Sequence, residues 1–209
     1  MNKTEFTEFF DRWAPSYDTI LPSVLYQAVH KRLMDYVHLP SPCQVLEVGC
    51  GTGKLLARLA QHWSTLSGVG IDLSTGMIAQ AEQNFADCDR LQVICGDVTR
   101  LPFATRTFDA VFCSISFLHY PQPAAAFQAI VQILKPSGKL YLADFVPPRW
   151  QDIEIWRPGI SPGGIALYSA NAREQLGKEA GLVCDRHHYL LGPVMMTQFS
   201  APGSLTMTV

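Results

Sequence analysis

The feature that most constrains this chain is an alternation between residues 43 and 146. Short apolar runs that stop at a glycine or an acid take turns with stretches of helical period. "CQVLEV" (43–48) runs straight into a glycine, as a strand buried on both faces does. "GKLLARLAQHW" (53–63) then places apolar residues at 55, 56, 59, 60 and 63, one face of a helix. "LSGVGID" (66–72) reads as a second strand, and "STGMIAQAEQNF" (74–85) as a helix opened by an N-capping Ser74. "LQVICGD" (91–97) is the third strand, and residues 109 to 114 of "FDAVFCSISFLHY" are the fourth. "PAAAFQAIVQILKPSG" (123–138) is a helix that stops at Lys135-Pro136, because proline cannot continue it. "KLYLADFV" (139–146) is the fifth strand. Strand and helix repeated at this spacing predict a parallel sheet with helices on both faces.

Two pieces lie outside the alternation. Before Cys43, "TEFFDRWAPSYDTI" and "LYQAVHKRLMDYV" read as helices packed over an edge of the sheet. After Val146 comes a Pro- and Gly-rich stretch holding Trp150 and Trp156, which either wall a substrate pocket or staple the loop. A last helix, about 169 to 180, leads to "LVCDRHHYLL" and "VMMTQFSA", an antiparallel hairpin turned at Gly192-Pro193. His187 and His188 are adjacent on that predicted strand, so they face opposite sides and make no i, i+2 metal pair.

With 209 residues, 48% hydrophobic and 16% charged, the chain can bury a real core as one domain. Its net charge of −2 gives no electrostatic footprint for nucleic acid or anionic lipid. The six cysteines include no CxxC pair, so buried reduced thiols and no metal site are expected. "MNKTEFTEFFDRW" lacks the apolar centre of a signal peptide, and no apolar stretch approaches the roughly 20 residues that span a bilayer. A cytoplasmic protein without membrane insertion is the expectation.

"LEVGCGTGKL" (46–55) sets glycines at 49, 51 and 53 at the end of the first strand, where an open parallel sheet binds ligands. A dinucleotide turn needs G-x-G-x-x-G, and here the third glycine comes one position early. A P-loop needs Ser or Thr after G-K, and Leu55 takes that place. The spacing instead reads acid-x-Gly-x-Gly-x-Gly. On these residues "VLEVGCGTGKLLARLA" resembles the first motif of the class I S-adenosylmethionine-dependent methyltransferases. Asp72 at the end of the second strand and Asp97-Val98 after the third agree with it, as do "FDAVFCSISFLHY" and "ILKPSGKLYLADF". "FFDRWAPSYD" is similar to the "FD..A..YD" opening of the subgroup that includes ubiquinone and menaquinone methyltransferases.

The resemblance implies a Rossmann-like, doubly wound, seven-stranded and mostly parallel sheet with an antiparallel C-terminal hairpin. It divides one domain into an N-terminal helical lid (1–42), a cofactor-binding core (43–146), a substrate-side loop (147–168) and the last helix with the hairpin (169–209). It implies S-adenosylmethionine, leaving as S-adenosylhomocysteine, as the cofactor. Asp72 would hold the ribose hydroxyls, Asp97 the adenine amino group, with Val98 packed nearby, and Tyr17 the methionine end. Glu47, Gly49, Cys50, Gly51, Gly53, Leu73, Met77, Ser114 and Phe117 complete the expected binding set. Glu47 either anchors the glycine loop or reaches the methionine ammonium through water.

His119 follows the fourth strand, where cofactor and acceptor meet in such a fold. It is the candidate general base, or else it lines the pocket. The loop after that strand, Ser114-Ile115-Ser116-Phe117, lacks the [Asn/Asp]-Pro-Pro-[Tyr/Phe] of enzymes that methylate amino nitrogens. It also lacks the glutamates of arginine methyltransferases. A small, hydrophobic acceptor methylated on oxygen or carbon remains, on a monomer or homodimer. Two other classes stay open: an NAD-type oxidoreductase, opposed by the glycine spacing and the absence of a Tyr-x-x-x-Lys pair, and a non-catalytic regulator that binds the cofactor.

Overall fold

In the computed structural model, which describes residues 7, 8, 10–12, 14, 17, 21–148, 153–158 and 164–203, the alternation is realised element by element. It runs α1 (Leu21–Met34), β1 (Cys43–Val48), α2 (Lys54–His62), β2 (Leu66–Asp72), α3 (Thr75–Phe85), β3 (Leu91–Cys95), β4 (Phe108–Ser114), α4 (Pro123–Ile133) and β5 (Leu134–Phe145). A small ladder of β6 (Ile155–Trp156) and β7 (Leu167–Tyr168) follows, then α5 (Ala170–Ala180) and the hairpin β8 (Val183–Leu191) with β9 (Val194–Ser200).

The seven-stranded sheet has the order β3-β2-β1-β4-β5-β9-β8. Every pair from β3 to β5 is parallel, and β9 runs antiparallel to both β5 and β8. This is the expected doubly wound class. The chain leaves β1 for β2 on one side and returns to β4 on the other, so a crevice opens beyond the carboxyl ends of β1 and β4.

Strand alternation divides the core into two layers. Val45, Phe112, Tyr141, Ala143 and Met196 face one side, under Val29 and Leu33 of α1 and Leu55, Leu56 and Leu59 of α2. Leu46, Val48, Val111, Cys113, Leu140, Leu142 and Phe199 face the other, under Phe127, Ile130 and Ile133 of α4 and Leu176 of α5. Apolar area buried on both faces stabilises the sheet by roughly 25 cal/mol per Å². It also explains why the strands read as continuous apolar runs rather than alternating ones.

Several boundaries differ from expectation; β5, for one, begins at Leu134 and not at residue 139. The helix α4 ends at Ile133, and Leu134 is already extended (φ −70°, ψ 136°), ahead of Pro136. A residue before proline is pushed out of helical space, and the effect here reaches back through Lys135. Strand β3 ends at Cys95 rather than at residue 97, since Asp97 instead caps a 3-10 turn at Val98–Arg100. The 147–168 segment contains the β6–β7 ladder, which no periodicity announced. Trp150 lies outside the described residues.

Candidate active site

The turn after β1 is held by backbone bonds to its neighbour. Gly49 N and Cys50 N both donate to Ile71 O, at 2.8 and 3.1 Å, which pins the turn against the end of β2. Gly49, Gly51 and Gly53 all have positive φ, at 65°, 52° and 76°. Their reasons differ. A methyl on Gly49 would stand 2.5 Å from Ser116 Cβ, so the loop after β4 presses directly on it. A methyl on Gly51 would meet nothing within 4 Å; this bare backbone faces the crevice and makes a cradle for a ligand. Gly53 serves packing: its methyl would stand 2.5 Å from Phe85 Cζ, where α2 crosses α3. Gly53 therefore shapes the floor without lining it.

Asp72, at the end of β2, orders the cradle. Its Oδ2 accepts from Gly51 N at 2.9 Å and its Oδ1 from Ser74 N at 2.9 Å. Each oxygen keeps a further lone pair for a ligand hydroxyl, as a vicinal diol requires. Burial pushes this carboxyl up from its ordinary value, against the backbone N–H bonds that pull it down. Asp97 Oδ1 accepts from Thr99 N and Thr99 Oγ1, both at 2.9 Å, at the mouth of β3. The donor and acceptor chemistry of this set fits a nucleoside.

Above the crevice lies a cavity of about 960 Å³. Tyr17, Gly49, Gly51, Asp72, Leu73, Met77, Asp97, Val98 and His119 all line it, so most of the predicted set converges. A smaller cavity of about 50 Å³ beneath the turn is lined by Tyr17, Glu47, Gly49, Cys50, Gly51 and Ser114, with His30 and Gln27 from α1. Phe117 lines neither. It is buried in an aromatic cluster with Phe127 and Tyr168, and its neighbours Leu118 and His119 face the large cavity instead.

Glu47 anchors the turn. Its Oε2 accepts from Leu56 N at 3.0 Å, in the first turn of α2. Burial raises its carboxyl to about 8, and the nearby Asp72 adds to the shift. Burial lowers His119 to about 4, so it is neutral at pH 7 and a weak base. Phe10 stands edge-on to its ring, with centroids 5.4 Å apart. His30, under burial and the charge of Arg58, is lowered to about 3.

Several residues that sequence reasoning missed position the site. Asp11 reaches across to the start of α3, where its Oδ1 accepts from Ser74 Oγ at 2.5 Å and Gly76 N at 2.9 Å. It is the acid of the "FD..A..YD" opening, which carried the subgroup resemblance without pointing to a role for Asp11 itself. Ile115 adopts φ 49°, a strained conformation for a β-branched residue, where the chain leaves β4 and lines the cavity. Asp144, at the end of β5, accepts from Leu118 N at 2.9 Å and so holds the 3-10 turn Phe117–His119. Arg173, fully buried on α5, donates to Met195 O, Asp144 O and Phe145 O at 2.9, 3.1 and 3.0 Å. Burial raises Asp144 to about 6 while Arg173 opposes the shift.

The large cavity continues past His119 to Ile155, Arg157, Ala166 and Tyr168, and to Asn171, Gln175 and Leu176 of α5. Ile155 and Arg157 face it, while Trp156, between them on β6, does not; Trp156 belongs to the ladder against Leu167. Among the described residues, no helix is long and apolar enough to cross a membrane.

Comparison with known proteins agrees with this geometry. Residues 45–138 match a family model described as a methyltransferase domain. The malonyl-[acyl-carrier protein] O-methyltransferase of Herminiimonas arsenicoxydans is 32% identical over 155 residues, 74% of this chain and 56% of that protein. The demethylmenaquinone methyltransferase of Renibacterium salmoninarum is 34% identical over 148 residues, 69% of this chain and 60% of that protein. The chain thus spans little more than half the length of these relatives. A solved SAM-dependent methyltransferase from Aquifex aeolicus superposes with a TM-score of 0.75 at 18% identity, covering 91% of this chain and 98% of that one. At that identity the likeness speaks for the fold.

Proposed function

The chain belongs to the class I S-adenosylmethionine-dependent methyltransferases, and on that premise we propose that it transfers a methyl group to a small, largely hydrophobic acceptor. The observation that carries this reading is the continuity of the large cavity. One arm runs along Gly51, Asp72 and Asp97, the other along His119, Ile155, Tyr168 and α5. At about 960 Å³ it sits at the upper end of ligand cavities, which typically hold about 300–1,000 Å³. That leaves room for a nucleoside cofactor and a second molecule side by side.

The bound cofactor supplies an electrophilic methyl on a sulfonium. The protein's part is to align the acceptor and exclude water. Asp72 and the glycine turn fix one end, Asp11 ties the N-terminal segment over α3, and Ile115 lines the cavity beside the turn held by Asp144. His119, neutral and weakly basic, orients the acceptor through a hydrogen bond instead of removing a proton of high pKa. An acceptor that is already anionic needs no base.

The far arm carries charge of both signs: Arg157, whose charge acts on the Tyr168 hydroxyl, lines it together with the carboxylates of Glu154 and Glu179, so it selects neither an anionic nor a neutral acceptor. The relatives named above act, by name, on a malonyl carrier protein and on demethylmenaquinone, so both chemistries belong in the screen. The deciding experiment is calorimetric titration with S-adenosylhomocysteine, with NADH as control, followed by product formation over a panel of carboxylate and quinol acceptors. Binding of the first ligand with turnover on one class supports the proposal. Binding of NADH alone overturns it, and cofactor binding without turnover on any acceptor favours a regulator.

A further inference from the structure

The strand β8 carries an irregularity that changes which residues share a face. It pairs Cys184 with Phe199, but then Arg186 with Gln198 and His187 with Thr197, so Asp185 is an extra residue in the ladder. On a regular strand Cys184 and His187, three apart, point to opposite faces. The bulge cancels one step and brings both to the face covered by α5. His188, on the opposite face, stacks on Tyr36 at 4.0 Å between centroids. The bulge is held by Asp185, whose carboxylate accepts from Lys139 Nζ at 2.9 Å, from Ser200 Oγ at 2.6 Å and from Gln198 Nε2 at 3.1 Å.

Glu174, on α5, completes a cluster. Its Oε1 lies 2.7 Å from His187 Nε2, and Cys184 Sγ lies 3.7 Å from the same nitrogen. One ligand atom from each of the three residues lies within 4.8 Å of the others. The other ring nitrogen, His187 Nδ1, is 3.0 Å from Thr197 Oγ1, and Thr197 is fully buried. Such an outer hydrogen bond fixes the orientation of a metal-binding imidazole.

From this juxtaposition we propose that Glu174, Cys184 and His187 form a zinc site that clamps α5 to the C-terminal hairpin, with water as the fourth ligand. Thiolate, imidazole and carboxylate together suit Zn²⁺ better than a hard cation. Bonds of about 2.0–2.3 Å in a tetrahedron set neighbouring ligands about 3.3–3.6 Å apart. The sulfur–nitrogen separation is already close to that, and the half-exposed Glu174 side chain needs only a small retreat. A proton on Nε2 satisfies the Glu174–His187 pair alone, whereas a metal ion satisfies that pair and the sulfur together. Binding displaces the Cys184 thiol proton to solvent, moves the imidazole proton from Nε2 to Nδ1, where it is donated to Thr197 Oγ1, and leaves thiolate–zinc and Nε2–zinc bonds. The same helix α5 lends Asn171, Gln175 and Leu176 to the lining of the large cavity, so the clamp steadies one wall of it. His187 and His188 still face opposite sides, as expected; the proposed set instead joins His187 to Cys184 across the bulge.

The test is titration of untagged, metal-stripped full-length protein with Co²⁺ followed by displacement with Zn²⁺. The expected result is one ion per chain, with thiolate-to-cobalt charge-transfer absorption and the visible bands of tetrahedral cobalt. Cys184→Ser should abolish the charge-transfer band and weaken Zn²⁺ binding at least tenfold. His187→Gln should weaken it comparably, and the exposed Glu174→Gln less. Cys95→Ser, at an exposed cysteine outside the cluster, should change nothing. A titration without the thiolate band, or binding that persists unchanged in Cys184→Ser, overturns the proposal. Should Cys184→Ser not fold, an unaltered affinity in Glu174→Gln together with an octahedral cobalt spectrum in the parent protein overturns it equally.

Discussion

Asp11 and Ser74, 63 residues apart, share a hydrogen bond of 2.5 Å, and the same Asp11 oxygen accepts from Gly76 N at 2.9 Å. Ser74 Oγ also accepts from Met77 N at 3.1 Å, so the two residues cap α3 in series. An acid at a helix N-terminus is held both by N–H groups and by the helix dipole. The bond thus ties the N-terminal segment, with Phe10 and Tyr17, over the cofactor arm of the cavity.

Replacing Asp11 with Ala should leave α3 capped by Ser74 but release that segment. A lost charge-assisted bond is worth about 1.5–3 kcal/mol, so S-adenosylhomocysteine affinity should fall roughly tenfold or more while melting temperature changes little. Calorimetric titration reads this directly. An unchanged dissociation constant would remove the segment from the binding site.

Gly49 and Gly51 should separate folding from binding. Gly49→Ala places a methyl 2.5 Å from Ser116 Cβ at positive φ and should lower stability by several kcal/mol. Pairing it with Ser116→Gly should recover part of the loss. Gly51→Ala adds only the strain of positive φ, about 1–2 kcal/mol, yet its methyl enters the cradle. Thermal melts and ligand titrations on the same samples check both; a Gly51→Ala variant that binds normally would make the turn a purely structural one.

Glu47 sets a pH dependence of stability. Its carboxyl is raised from 4.5 to about 8 in the fold, so the folded state holds the proton more tightly than the unfolded chain. Its contribution is therefore fully favourable below about pH 4.5 and is lost as pH rises towards 8. Glu47→Gln keeps an acceptor for Leu56 N but cannot ionise. The variant should gain stability relative to the parent between pH 5 and 8, by denaturant titration at fixed temperature. A constant difference across that range would mean that Glu47 is ionised throughout.

His119 offers the simplest kinetic check. With its ring held down at about 4 by burial, it does not titrate near neutrality. His119→Ala should lower turnover through acceptor placement yet leave the shape of the kcat/KM profile between pH 6 and 9 unchanged. Loss of a limb in that range would restore the general base.

What was legible in the sequence is what local rules decide. The apolar runs and helical periods located β1 to β5 and the helices between them, because strand and helix periods are properties of neighbouring residues. The glycine turn was legible from its spacing, whereas Asp72 and Asp97 stood out only through the family resemblance of the three motifs taken in order. Tertiary structure alone distinguished Gly51, open to the cavity, from Gly53, pressed on Phe85, since identical residues differ only in what packs against them. It alone buried Phe117, joined Arg173 to the end of β5, strained Ile115 and set Asp11 on α3. It also put Cys184 beside His187, by inserting one residue into a ladder whose register depends on the partner strand. Periodicity is written within a segment; contacts between segments distant in sequence, and the register at which they meet, are set only when the whole core closes.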